Sequence, residues 1–237
     1  MRAQDKTPNR LENAKQMMRM LVSHLKEERI GIIAFTSQAF IQCPITSDTQ
    51  ALDYFINSLQ ADMLPVPGTS LSAPVQLAAR MLSKYPGQKA LILLADGEDH
   101  TPEELQAAKQ AAQENGIRII AVGIGTPDGA LIPARLDANG RVVEYKKDKA
   151  GKTVVSKLDE TSLADLAQTT GGTYIAYSSA AQVARKIEQS LSGLDKTTSS
   201  TGSHAVYQNR YMFPLLLAIL CFGAYLLWPQ RRIKKVK

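Results

Sequence analysis

Apolar positions along this chain alternate between a helical spacing of three to four and short unbroken runs. Leu11, Ala14, Met17, Met18, Leu21, Val22 and Leu25 predict an amphipathic helix over 9–28, with Thr7-Pro8 as its cap and first-turn proline. The runs Ile30 to Phe35 and Ala39 to Cys43 predict two strands. The short link Thr36-Ser37-Gln38 makes them a tight antiparallel hairpin, which Pro44 ends. A helix is expected from Thr46 to Leu59, with Leu52, Phe55, Ile56 and Leu59 on one face. The Pro/Gly loop LPVPGTS and a helix from about Leu71 to Leu82 follow.

The stretch KALILLADGEDH, Lys89 to His100, organises the rest. Its apolar run reads as a strand buried on both faces of a parallel sheet. Asp96 then falls at the carboxyl end of that strand, where ligand crevices of open parallel sheets lie. A carboxylate there is either a ligand for a hard cation or a cap for the next helix. Thr101-Pro102-Glu103-Glu104 reads as a capping box, and Asn115-Gly116 as the end of its helix. Ile117 to Val122 is a second buried strand. The polar run 128–159, with the β-prone pieces RVVEY and TVVS, reads as a hairpin insertion. A short helix over Thr161 to Thr169, a strand over Thr173 to Tyr177 and a helix over Ala180 to Leu191 complete an α/β domain with a mostly parallel sheet.

Residues 195–210 read as a flexible tether. Tyr211 to Trp228 is eighteen residues without a charge, which as a helix rises about 27 Å, close to a bilayer core. A buried terminal helix is the alternative. The aromatic ends and the basic tail 229–237 instead predict a membrane span with the C-terminus cytoplasmic and the domain outside, periplasmic in a bacterium.

Charge alters the picture once it is located. The chain carries +6 at neutral pH, and RRIKKVK at its end supplies five of those charges, leaving +1 for everything before. The basic balance is thus no argument for nucleic-acid binding. Cys221 falls in the uncharged run and Cys43 in the domain, which makes an intramolecular disulfide geometrically implausible. MRAQDKTPNR is too polar for a signal peptide.

The ordered set GIIAF, FTSQAFIQCPIT, VPGTSL with Thr69, LLADGED with Asp96, and AVGIG ahead of the uncharged run resembles the von Willebrand factor A (VWA) domains. It is most similar to the membrane-anchored Bat proteins of BatA and BatB type, named for aerotolerance. The resemblance implies a Rossmann-like sheet with helices on both faces, an antiparallel edge hairpin and a C-terminal transmembrane helix. It divides the chain into a domain over 1–194, the tether, a span over 211–228 and a cytoplasmic tail.

The family holds Mg²⁺ or Mn²⁺ in an adhesion site made by an Asp-x-Ser-x-Ser motif, a threonine and an aspartate. By position the last two match Thr69 and Asp96, with Ser70, Glu98 and Asp99 beside the loop as partner-binding candidates. Thr69 as a plain helix cap is the alternative. The Asp-x-Ser-x-Ser motif occurs nowhere in this sequence. The resemblance therefore implies an N-terminally shortened copy that lacks the first, central strand, three metal-site residues and an upstream span. Such a copy is expected to bind metal weakly or not at all.

The function implied is a non-catalytic interaction module in the bacterial inner membrane. Its implied partners are other Bat-family proteins and a MoxR-type AAA+ ATPase. His24, His100 and His204 assemble into no catalytic set with a serine or cysteine. A metal-dependent hydrolase using Asp96 and Asp99 is the rival, and a truncated, non-functional product the third reading.

Overall fold

The computed structural model describes residues 1–25, 28–61, 63, 64, 66, 68–96, 101–137, 142–148 and 150–192, with 218, 222 and 223. The chain divides into two compact units, Met1–Lys196 and Thr197–Lys237. In the second unit Ala218, Phe222 and Gly223 are helical. The rest of the expected span and the tether lie outside the described residues. Among the described residues no helix is long and apolar enough to cross a membrane.

The first helix, α1 (Arg10–His24), is capped by Asn9, whose side chain accepts from the Glu12 amide at 2.9 Å. The expected Thr7-Pro8 start is therefore two residues early: Asn9, not Thr7, stands three positions before Glu12, where its side-chain oxygen reaches that first-turn amide. Strands β1 (Ile30–Phe35) and β2 (Ala39–Thr46) form the antiparallel hairpin, but β2 runs through Pro44 instead of stopping there. Cys43 pairs with Ile32 and Thr46 with Ile30, so Pro44 and Ile45 together oppose Gly31. A proline without an amide proton is tolerated in such a bulge.

Helix α2 (Thr49–Ser58) starts three residues later than Thr46, because the Asp48 carboxylate caps the amides of Gln50 and Ala51. Its Leu52 and Ile56, with Val22, Ile32 and Cys43, close a small core over the hairpin.

After helix α3 (Ser72–Leu82), strand β3 (Lys89–Ala95) lies parallel to β4 (Ile117–Gly123), with Leu91 opposite Ile119 and Ala95 opposite Gly123. Helix α4 (Pro102–Glu114) connects them. Beyond β4 come two small antiparallel pairs. β5 (Ala130–Leu131) pairs with β8 (Val155–Ser156), and β6 (Pro133–Leu136) with β7 (Val142–Tyr145). All four strands lie between β4 and α5. Helix α5 (Glu160–Thr169), strand β9 (Tyr174–Ala176) and helix α6 (Ala180–Ser192) end the unit, with β9 parallel to β4 in the order β3-β4-β9.

The central strand shows why the sheet is covered twice. Ile119 and Ala121 point into a core shared with α3, α4 and α5, while Ile120 and Val122 point into one shared with α1 and α6. Each such isoleucine, fully buried, contributes about 1.5–3 kcal/mol. The β3 strand departs from its expectation. It was expected to be buried on both faces, yet most of its side chains are only half-buried. Among the described residues it pairs with β4 alone, and no ladder joins it to the β1–β2 hairpin.

Candidate functional site

Three loops converge at one end of the sheet. Phe35, Leu71 and Ala95, which flank them, pack in the same core. They set the β1–β2 turn, the Thr69–Ser70 loop and Asp96 around that core. The Ser70 amide donates to the Thr36 carbonyl at 2.8 Å, tying the first two loops together. Gly68 makes this approach possible: it sits at φ +121°, and a Cβ there would come within 3.2 Å of the Ser37 Cβ. The hydroxyl oxygens of Thr36 and Ser37 are buried and without a hydrogen-bond partner among the described residues.

Thr69 is half-buried at this loop, and Ser70 is buried. Ser70 faces Glu104, not open solvent. The Ser70 and Ser72 hydroxyls donate to Glu104 Oε2 at 2.7 and 2.5 Å, and the Ser72 amide adds a longer bond at 3.3 Å. Glu104 sits in the first turn of α4, where Thr101 Oγ1 accepts from its amide at 3.3 Å. Its carboxylate thus joins the start of α4 to the start of α3, where the helix dipole favours a negative charge. The capping-box pattern located Glu104 but gave no hint of its reach to Ser70 and Ser72.

Asp96 follows β3 directly and is nearly buried. Its Oδ2 accepts from the Met1 ammonium at 3.1 Å and lies 3.5 Å from Arg10 Nη1. Arg10 itself is 0% exposed. Its Nε and Nη2 donate to the two carboxylate oxygens of Asp5, both at 2.9 Å. Nη1 donates to Ser156 Oγ at 2.6 Å and Nη2 to the Ser156 carbonyl at 3.2 Å. Thr126 Oγ1 donates to Asp5 Oδ2 at 3.1 Å.

Burial opposes the charge on Asp5, but the Arg10 bonds and charge, with the Thr126 hydroxyl, outweigh it and hold the carboxyl below its usual range. Gly125, at φ +149°, leaves the space the guanidinium needs: a Cβ there would lie 2.8 Å from Arg10 Cζ.

Sequence reasoning missed Arg10, Asp5, Thr126 and Ser156. One signal was present. Arg10 sits on the same helical stripe as Ala14, Met17 and Leu21, all buried, and a charged residue on an apolar stripe needs a buried partner.

Glu98 and Asp99, expected beside the metal loop, and His100 lie outside the described residues. His24 Nδ1 is 3.1 Å from Glu188 Oε2 on the exposed surface between α1 and α6, with no serine or cysteine in that pair.

Of the expected donors to Mg²⁺ or Mn²⁺ the chain carries Thr69 and Asp96. One hydroxyl and one carboxylate that faces the buried Arg10 guanidinium do not by themselves fit such an ion, which prefers oxygens in an octahedron. Among the described residues no cluster of three or more His, Cys, Asp or Glu side chains could hold a metal.

The von Willebrand factor type A domain family matches residues 1–99. The structure is similar to that of an aerotolerance-related membrane protein from Bacteroides fragilis NCTC 9343, a form with multiple mutations to serines. That similarity has a TM-score of 0.75 and 31% identity over 81% of this chain and 93% of that one. It is likewise similar to the conserved hypothetical protein BatB from Bacteroides thetaiotaomicron, with a TM-score of 0.74 and 32% identity over 82% and 92% of the two chains. An uncharacterized protein of Borreliella burgdorferi is 27% identical over 133 residues, 54% of this chain, and the chain spans 38% of that relative's length. With more than 30% identity across nearly all of two solved relatives, the chain belongs to the von Willebrand factor type A domain family, among the BatB-like aerotolerance-related proteins.

Proposed function

We propose that this protein is a membrane-anchored, non-catalytic module that binds other proteins through the loop end of its sheet. The observation that carries the reading is the 31% identity to an aerotolerance-related membrane protein over 93% of its chain. The uncharged run 211–228 and its basic tail support a single C-terminal span in the bacterial inner membrane, with the domain on the periplasmic side. Other Bat-family proteins and, across the membrane, a MoxR-type AAA+ ATPase are the partners this reading takes.

The binding surface is the rim around Thr69, Ser70 and Asp96, with Glu98 and Asp99 next to it in sequence. A metal is not required for this reading, since Arg10 already supplies positive charge at Asp96. The test is crosslinking and co-purification of the full chain from native membranes. Thr69→Ala and Asp96→Asn are expected to lose captured partners while the protein stays at its normal level in the membrane. Unchanged capture by both variants would place the binding surface elsewhere.

A further inference from the structure

We propose that the seam between β1 and β3 is a strand-binding site, which takes an uncharged, apolar β-strand from another protein chain. This deepens the reading of the domain as a protein-binding module and rests on it.

Both strands run toward the same loop end, where Phe35 and Ala95 share a core. Helices cover the seam on both faces. On one face Val75 and Ala79 of α3 share that core with Leu91 and Leu93 of β3 and with Phe35 of β1. On the other face Met18 of α1 packs against both remaining cores. One of them takes in Ile92 and Leu94 of β3, the other Ile30 and Ile32 of β1. Between these helix layers no ladder joins the two strands among the described residues.

The edge of β3 can be read bond by bond. The Ile124 amide donates to the Ala95 carbonyl at 2.9 Å, so Ala95 turns its backbone polar groups toward β4. Alternation gives Leu91 and Leu93 the same direction, and turns the amides and carbonyls of Ala90, Ile92 and Leu94 toward the seam. None of these backbone groups has a hydrogen-bond partner among the described residues. Burial follows the same division. β4, paired along both edges, is almost wholly buried. Leu91, Ile92 and Leu94 of β3, with Ile33, Ala34 and Phe35 of β1, are only half-buried between the helices. Apolar strands with a row of unmatched amides and carbonyls are what an added strand completes.

The lining specifies the occupant. Apolar helices on both faces call for apolar side chains at every position of the added strand, not at alternate ones. A charge there would be buried without a partner. A helix would bring no free backbone donors, since its own are paired internally. The seam is bounded by seven residues of β3 and six of β1, which sets the length of the occupant. Within these 237 residues the strand-forming runs at Ala39 to Cys43 and Ile117 to Val122 already stand in ladders, and 211–228 is the proposed span. The donor in this proposal is therefore a second polypeptide.

The test uses the full chain in detergent and a synthetic peptide, Ile-Val-Ile-Val-Ile-Val flanked by lysine pairs. Its control is the same peptide N-methylated at every second core residue, which keeps the side chains and removes one edge of donors. Amide exchange is read residue by residue. The peptide is expected to slow Ile92 and Leu94 about tenfold at ten times its Kd, with Leu91 and Leu93 changing less and the methylated peptide slowing none. Equal slowing by both peptides, or by neither, overturns the proposal. So does slow exchange of Ile92 and Leu94 in the peptide-free protein, which would mean that the protein's own chain fills the seam. Protection that fails while Asp96→Asn still loses captured partners sinks this inference alone. Protection that holds while Asp96→Asn keeps its partners sinks the loop rim as the binding surface instead.

Discussion

Arg10 Nη1 donates to Ser156 Oγ at 2.6 Å, joining the first helix to the insertion across 146 positions of sequence. The same guanidinium holds Asp5 and approaches Asp96, so one buried cation fixes three segments at the carboxyl end of the sheet. Removing it strands buried carboxylates. Arg10→Met is expected to lower stability by about 3–5 kcal/mol, and Ser156→Ala by about 1.5–3 kcal/mol, read from chemical unfolding. Near-neutral effects for both would show that the network is dispensable.

Asp5 makes this corner sensitive to acid. Its folded carboxyl titrates below the ordinary value of 3.8, so its contribution is full above that pH and disappears as pH falls from there through the folded value. Stability measured against pH should therefore drop below about pH 4 in the parent protein. The drop should be shallower in Asp5→Asn, which no longer has the carboxyl to protonate.

Glu104 governs the other loop. Glu104→Ala leaves the Ser70 and Ser72 hydroxyls without their acceptor and the start of α3 without its nearby carboxylate. The expected loss is about 2–3 kcal/mol. Faster amide exchange should be confined to residues 68–75. Exchange that rises evenly over the whole domain would contradict a local role.

Much of the architecture was legible because it is written in local patterns. The five apolar residues of Ala90 to Leu94 and the run Ile117 to Val122 became adjacent parallel strands, and their alternation in β4 sorts side chains between two cores. Thr101 and Pro102 start α4 as their chemistry requires. Element ends were less legible, since Asn9 and Asp48 outcompete Thr7 and Thr46 as caps through geometry that spacing does not encode. The site was least legible. Asp96 could be located by its position after a strand, but its partner Arg10 lies 86 positions away and only the fold brings them together.

Gly172 offers a test of the sheet's far side. A Cβ at that position would overlap the Ile119 carbonyl, which is backbone and cannot swing aside. Gly172→Ala should therefore push the approach to β9 away from β4, at a cost toward the upper end of about 1–3 kcal/mol. Gly151→Ala meets nothing within 4 Å and should cost only the strain of its φ of +81°, so thermal unfolding of the two variants separates crowding from backbone strain.

The absence of a described ladder between β3 and the β1–β2 hairpin has a mechanical consequence. Load applied to the hairpin reaches the parallel sheet through α3, through α1 by way of Met18 and Val22, and through the side chains around Phe35, with no described row of backbone bonds to carry it. Side-chain contacts slide where backbone ladders must shear as a set. A pull on the hairpin would meet less resistance than one across β3 and β4, which makes the hairpin the more compliant of the two within the first unit.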